Sequence, residues 1–242
     1  MVLNLFPIFG TDMKKAHYIL FVLFISFQMV AQSAFEKGEK LYDQHQFEKA
    51  KKEFQNYLIQ NPKSYKTIEF IGDCHGQLKE WDDAISNYKI IKEAFPTNAN
   101  YWYKYGGALG MKAKSVNKFK ALALIDDVET AFLTAAKLDT KHIGSRWALV
   151  MLYSELPGIL GGSEKKAQKY ADELMALSKV DGYLAKGYID EYFKRYSKAE
   201  QHYAKAHEIG NSKTTFQKLY SLYWNKLNNK EKAKKLKEQF EK

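Results

Sequence analysis

The stretch IEFIGDCHGQLKEWDDAISNYKIIKEAFP, residues 68–96, carries the pattern that decides the fold. Its apolar residues recur three or four positions apart, which is the spacing of one face of an α-helix. A small residue, Gly72, precedes a second one, Ala84, by 12 positions, and an aromatic residue, Tyr88, follows four positions later. Small residues allow two helices to cross closely, and Pro96 ends the second helix. The stretch therefore predicts a helix, a turn and a second helix packed against the first.

The same pattern recurs along the chain with a period of 34 residues. Positions spaced by this period hold glycines, alanines, aromatic residues and prolines, in the sets Gly38, Gly72 and Gly106; Ala50 and Ala84; Phe54 and Tyr88; and Pro62 and Pro96. A period of this length is typical of stacked two-helix units, in which each unit buries its apolar face against its neighbours. We therefore predict tandem helix pairs and no sheet.

Residues 65–98 resemble the tetratricopeptide repeat (TPR) family, whose unit has small residues where Gly72 and Ala84 stand and a proline where Pro96 stands. Later units keep parts of this signature, at Trp102, Tyr105, Gly106 and Leu109, at Gly187, Ala199, Tyr203 and Ala206, and at Ser221 and Ala233. The resemblance implies an all-α fold, a right-handed α-solenoid of about six helical pairs over residues 34–242. The fourth unit departs most, because Ala167 trails Met151 by 16 positions rather than 12.

Two segments are longer than the repeat requires. MKAKSVNKFKALAL, residues 111–124, contains four lysines and no acid, and it predicts lengthened helices in the third unit. PGILGG, residues 157–162, is expected to form a turn inside the fourth unit, with Ser163 capping the next helix.

Glycines and lysines at a helix start also suggest an anion site, for which the candidates are Ser163, Lys165 and Lys166. The nucleotide-binding pattern G-x-x-x-x-G-K-[ST] is not matched, because lysine and serine stand in the opposite order.

Residues 1–33 have the outline of a signal peptide. Met13, followed by two lysines, supplies a basic start, residues 19–25 supply a short apolar core, and Ala31 and Ser33 are the small residues of a cleavage site. Because these lysines follow Met13 directly, we expect the true start to lie at Met13. We expect a cleaved leader and export to the periplasm or the cell exterior. An uncleaved membrane anchor is the alternative, disfavoured because a bilayer span needs about 20 apolar residues.

The sequence contains no pattern typical of a catalytic, metal or cofactor site. Cys74 is the only cysteine, and no second cysteine or histidine stands near it at a ligand spacing, so we expect a buried thiol. No Ser-His-Asp order and no distinctive carboxylate pair is present. We therefore predict a protein that is not an enzyme and needs no cofactor.

The charge of the chain limits its partners without choosing one. Lysine and arginine number 38 against 28 acidic residues, which gives a net charge of +10. Lysines concentrate in residues 111–124 and in residues 213–242, where nine lysines face three glutamates. These segments are solvated helix faces or the polar cap that a stack of repeats needs at its end, or they bind an acidic protein partner or the anionic lipid headgroups of a membrane. Nucleic acid is not expected as the partner of an exported chain.

The resemblance to TPR proteins also implies a concave groove, lined by the first helix of each unit, in which an extended peptide or a partner helix binds. Carried onto this sequence, the groove positions are Phe35, Glu39, Tyr42 and Asp43; Lys66, Glu69, Asp73 and Gln77; Tyr103; and Tyr188, Glu191 and Tyr192. TPR proteins that clamp a carboxylate have lysine, asparagine and arginine at such places. Phe35, Glu39 and Asp73 therefore exclude that specificity.

Two functions follow from these patterns. The first is an exported, non-enzymatic scaffold that binds another protein in the groove. The second is a ligand-binding or enzymatic protein whose anion site lies at the glycine-rich insertion.

Export can be tested directly. We expect the mature protein to begin between Gln32 and Phe35, because the small-residue exit of the leader lies there. N-terminal sequencing of the native protein measures this, and a mature chain that begins at Met1 or Met13 would contradict cleavage.

Overall fold

The computed structural model describes residues 34–241 and the single residue His17. The predicted signal peptide therefore lies outside the described residues, apart from His17. Within residues 34–241 all regular secondary structure is helical, which confirms the predicted all-α class. No described helix is both long enough and apolar enough to span a bilayer.

The chain divides into two compact units between Ala94 and Phe95. Among the described residues the first unit has four helices: α1 at 34–43, α2 at Phe47–Gln60, α3 at Tyr65–Gln77 and α4 at Trp81–Ala94. The second has eight: α5 at Ala99–Ser115, α6 at Lys118–Leu138, α7 at Ile143–Glu155, α8 at Glu164–Leu177, α9 at Lys179–Tyr192, α10 at Tyr196–Gly210, α11 at Lys213–Ser221 and α12 at Lys230–Phe240.

In helix pairs that keep the 34-residue pattern, a glycine on the first helix lies directly against an aromatic ring on the second. A β-carbon added at Gly38 would lie 2.6 Å from the Phe54 ring, and one at Gly72 would lie 2.8 Å from the Tyr88 ring. Gly187 faces Tyr203 even more closely. The alanine four residues before each aromatic is fully buried, as at Ala50, Ala84 and Ala199. The small residues of the 34-residue pattern therefore mark the positions at which the backbones of two paired helices lie closest.

Hydrogen bonds between tyrosines and carboxylates reinforce the same contacts. The Tyr88 hydroxyl donates to Asp73 at 2.7 Å, and the Tyr203 hydroxyl donates to Glu191 at 2.9 Å. Burial raises the pKa of both tyrosines far above the ordinary value, and the neighbouring carboxylates add to that shift. The α3–α4 and α9–α10 pairs are thus linked both by apolar packing and by a hydrogen bond from a tyrosine to a carboxylate.

The third helix pair is the longest. Helix α5 has 17 residues and α6 has 21, and only Val116 and Asn117 separate them. The Asn117 side chain accepts a hydrogen bond from the backbone N–H of Lys120 at 3.0 Å, which caps α6. The lysine-rich segment 111–124 is therefore the end of one helix and the start of the next.

The glycine-rich insertion forms a compact turn. A short 3-10 helix, Gly158–Leu160, follows α7, and Gly161 has a left-handed φ of 89°. The Ser163 side chain accepts from the backbone N–H of Lys166 at 3.2 Å, so Ser163 caps α8. The backbone N–H of Ser163 donates to the Tyr153 carbonyl at 2.9 Å, which ties the turn to α7.

Two adjacent glycines in α5 allow a matched test of the packing argument. A β-carbon at Gly106 would lie 2.9 Å from the β-carbon of Ala131, whereas one at Gly107 would meet nothing within 4 Å. We expect Gly106→Ala to lower the free energy of unfolding by about 1 to 3 kcal/mol through overpacking. Gly107→Ala should raise it by about 0.5 to 1 kcal/mol, because glycine is unfavourable inside a helix.

Urea unfolding of the two variants beside the wild type measures both effects. Equal effects of the two substitutions would contradict the assigned contacts.

Candidate functional site

The second unit contains an apolar cavity bounded by α5, α6 and α7. Three rows of residues at helical spacing face it, one from each helix. They are Tyr103, Gly107, Gly110 and Lys114 on α5; Ala121, Ile125, Val128 and Phe132 on α6; and Gly144, Ala148, Met151 and Glu155 on α7. The cavity has a volume of about 480 Å³, within the range of small-molecule sites.

The two ends of the cavity differ. At one end the Tyr103 ring packs against the Phe132 and His142 rings and directly over Gly144. At the other end Lys114 forms an ion pair with Glu155 at 2.7 Å. Met111 and Met151 also line the cavity and remain 46% and 37% exposed, so flexible apolar side chains stand where it opens to solvent. The cavity is therefore closed by aromatic packing and open beside a charged pair.

Glu155 joins the cavity to helix α9. The Tyr188 hydroxyl donates to the Glu155 carboxylate at 2.7 Å, and the Tyr192 hydroxyl donates to the Glu155 carbonyl at 3.4 Å. Burial, followed by the hydrogen bond to Glu155, raises the pKa of Tyr188 above the ordinary range. We call the surface formed by Met111, Met151, Glu155, Tyr188 and Tyr192 the α5–α7–α9 face.

The other groove candidates of the second unit serve the fold as well. Glu191 accepts the hydrogen bond from Tyr203 and so holds α10. Tyr103 is half-buried in the aromatic contacts that close the cavity. Tyr192 remains 44% exposed, which makes it the most accessible of the predicted groove tyrosines in this unit.

The groove candidates of the first unit contact one another. Lys66 pairs with Glu39 at 2.9 Å, and its ammonium group lies 4.7 Å from the centre of the Phe35 ring. Asp73 accepts from Tyr88. Burial raises the pKa of Tyr42 to about 12, and the Tyr42 hydroxyl hydrogen-bonds Gln77. The remaining candidates, Asp43 and Glu69, are exposed and half-buried respectively.

The candidate anion site at the insertion is occupied by the protein's own groups. The Ser163 side chain caps α8, and Glu164, in the first turn, pairs with Arg195 at 2.6 Å. The Lys166 ammonium group lies 4.6 Å from the centre of the Tyr153 ring and 3.5 Å from Glu129. Lys165 is exposed. The three candidates therefore do not converge on a common point, and the geometry does not favour an anion site.

One group of side chains in the first unit has donor atoms of the type that bind metals. His75, Glu80 and Asp83 place theirs within 4.8 Å of one another. Glu80 already accepts from His75 at 2.5 Å and from Lys51 at 2.7 Å, and these hydrogen bonds lower the pKa of Glu80. A lysine ammonium on the same carboxylate oxygen identifies an ion-pair network. Cys74 is buried beside it, as expected.

The sequence patterns do not predict the cavity. The available signal was the spacing of Tyr103, Gly107, Gly110 and Lys114, which places two glycines on one face of α5. A glycine in a helix predicts close packing, which holds for Gly106, but the space beside Gly107 is open and has no signal of its own in the sequence.

No family model and no curated protein matches this sequence. Solved structures show the fold. A thermophilic TPR protein from Thermus thermophilus superimposes with a TM-score of 0.65 at 16% identity, over 80% of this chain and 99% of the other. PilF of Pseudomonas aeruginosa gives 0.59 at 15% identity, over 88% and 90% of the two chains. YrrB, described as a TPR protein with an unusual peptide-binding site, gives 0.50 at 15% identity, over 75% and 87%.

The Tyr188 contact makes a prediction about pH. The raised pKa of Tyr188 means that the folded protein keeps the phenol neutral at pH values where the unfolded chain ionises. Its contribution to stability is therefore complete below a pH of about 10 and is lost as the pH rises further. We expect the difference in free energy of unfolding between the wild type and Tyr188→Phe to be constant from about pH 7 to 9 and to shrink above about pH 10.

Urea unfolding of both proteins at a series of pH values measures this difference. A difference that stays constant through the alkaline range would contradict the partly buried Tyr188–Glu155 contact.

Proposed function

We propose that this chain, whose fold is that of tetratricopeptide repeat proteins, is an exported, non-enzymatic scaffold that binds another protein on the α5–α7–α9 face. The observation that carries the proposal is the exposure of large apolar side chains on that face. Tyr192, Met111 and Met151 are 44%, 46% and 37% exposed. Aromatic residues and methionine are enriched at protein interfaces, and methionine adapts its shape to different partners.

The remaining chemistry of the face supports binding rather than catalysis. Its carboxylate, Glu155, is neutralised by Lys114 and accepts the Tyr188 hydroxyl, so it is not poised as a general base. A rigid helical frame that presents exposed apolar anchors beside satisfied polar groups is the usual construction of a docking surface. YrrB, which shares the fold, has a peptide-binding site according to its description, and this agrees with a segment of another protein as the partner.

Charge favours an acidic partner. Lys114, Lys118 and Lys120 lie at the tip of the α5–α6 pair, where residues 111–125 contain no acid. Lys218 lies 5.9 Å from the centre of the Tyr188 ring, which adds a cation on α11. Cations around an apolar surface speed the approach of an acidic partner and raise its local concentration. The export of the chain rests on its N-terminal sequence alone.

Capture followed by reconstitution tests the proposal. The mature protein is immobilised and used to capture partners from envelope extracts, captured proteins are identified by mass spectrometry, and the most enriched candidate is purified. Its Kd is then measured for the wild type and for Tyr192→Ala. We expect the Kd to rise by tenfold or more, since truncation of an interface anchor costs about 2 kcal/mol.

Ile209→Ala is the matched control. Ile209 lies on α10 and is 44% exposed, the same fraction as Tyr192, so both variants remove a comparable exposed apolar side chain. We expect Ile209→Ala to bind as the wild type does. Equal Kd values for Tyr192→Ala and the wild type, or equal losses in both variants, would contradict the α5–α7–α9 face as the binding surface.

A further inference from the structure

Two glycines on one face of α5 have no packing role. Gly106 is required by its contact with Ala131, but a β-carbon at Gly107 would meet nothing within 4 Å. One at Gly110 would make only an ordinary contact of 3.8 Å with Val128. Glycine inside a helix is unfavourable because of its large loss of backbone freedom on folding. The chain thus keeps two destabilising residues whose one visible structural effect is to leave the cavity open.

The cavity is elongated along the helices. It extends on α5 from Tyr103 at the closed end to Lys114 at the open end, which is about 16 Å at the rise of an α-helix. Small residues at Gly107 and Gly110 on α5 and at Ala121 on α6 leave room along its length. This length and the volume of about 480 Å³ suit an extended single chain that enters from the open end.

The walls offer few polar partners. Besides Tyr103, Lys114 and Glu155, the lining contains one polar side chain, Trp147, whose indole N–H already donates to Asp181 at 2.8 Å. A peptide in this slot would bury backbone N–H and C=O groups without hydrogen bonds, which is costly. An acyl chain carries no such groups. The lining therefore favours a hydrocarbon chain over a peptide segment.

The open end is cationic. Lys114 and Glu155 compensate each other there. Lys118 stands one turn before Ala121 on the same face of α6, so it lies at this end, and within the described residues it forms no ion pair. Because residues 111–125 contain no acid, the unbalanced charge at the opening is positive.

We propose that the α5–α6–α7 cavity binds a single-chain anionic amphiphile of the fatty-acid type. The hydrocarbon chain lies between the three helices with its end against Tyr103, and the carboxylate lies at the opening beside Lys114 and Lys118. The cavity shares Met111, Met151 and Glu155 with the α5–α7–α9 face, but Tyr192 does not line it, so substitution of Tyr192 distinguishes protein docking from binding in the cavity. The inference does not depend on the proposed function.

The length of the cavity should limit the length of the hydrocarbon chain that the site can bury. Each methylene buried in an apolar site improves affinity roughly fourfold. Titration calorimetry of the full chain would use octanoate, decanoate, dodecanoate and hexadecanoate, each below its micelle concentration. The affinity should rise by this factor for each added methylene and then level off once the hydrocarbon chain fills the cavity. Saturation at one molecule per protein is expected.

Gly107→Leu is the decisive variant. Its side chain enters the slot, and displacing two methylenes of dodecanoate lowers affinity by more than about tenfold. The variant should melt at the same temperature as the wild type or higher, which separates blocked binding from misfolding. Ala121→Leu fills the slot from the opposite wall and gives a second, independent block. Tyr192→Ala should bind dodecanoate as the wild type does.

The preference for an anionic head group is tested with a ligand whose head group has the opposite charge. Dodecyltrimethylammonium has the same chain with a cationic head and should bind at least about fivefold more weakly than dodecanoate. Lys118→Glu should reduce or reverse this preference. Absence of saturable dodecanoate binding, binding that survives both leucine substitutions, or equal affinity for the two head groups would overturn the proposal. Retained dodecanoate binding with no partner on the α5–α7–α9 face would overturn only the docking function.

Discussion

The close contact between a glycine and an aromatic ring is the constraint on which the rest of the structure depends. At Gly38, Gly72, Gly106 and Gly187 the ring of the second helix lies where a side chain of the first would stand. This contact sets the distance between paired helices, and the buried alanines one turn before the rings allow the backbones to approach. Once that distance is set, the tyrosine hydroxyls reach the carboxylates of the neighbouring helix, as Tyr88 reaches Asp73.

Much of this fold could be predicted from the sequence because its determinants are local. Gly72, Ala84 and Tyr88 repeat at a fixed period, and each has a steric reason visible without a structure. Other features carry no such signal. The turns within the pairs place His45 and Lys79 at left-handed φ values of 58° and 62°, although neither is a glycine. The surrounding helices impose this conformation, so residue type does not reveal it. The π-helical turn at Leu222–Lys226 likewise has no signal in the sequence.

The candidate site was less predictable than the fold. Groove positions taken from the family resemblance pointed to tyrosines and carboxylates, and the structure uses several of them internally. Glu191 accepts a hydrogen bond from Tyr203, and Asp73 accepts one from Tyr88. The cavity arises instead from a local exception to the packing rule. Gly106 fits the rule and its neighbour Gly107 does not. The structure is needed to distinguish a glycine that packs against an aromatic ring from one that lies beside open space.

The methionines allow the most direct test of the claim that the region around the α5–α6–α7 cavity is where this chain binds its ligands. The sequence has six methionines, of which Met111 and Met151 line the cavity and Met175 lies on α8. The full chain would be labelled with carbon-13 at the methionine methyl groups. Its methyl NMR spectra would be recorded in two separate titrations, one with dodecanoate and one with the purified partner. The account predicts that the signals of Met111 and Met151 shift while that of Met175 stays in place. Unchanged Met111 and Met151 signals at saturation, or an equal shift of Met175, would contradict it.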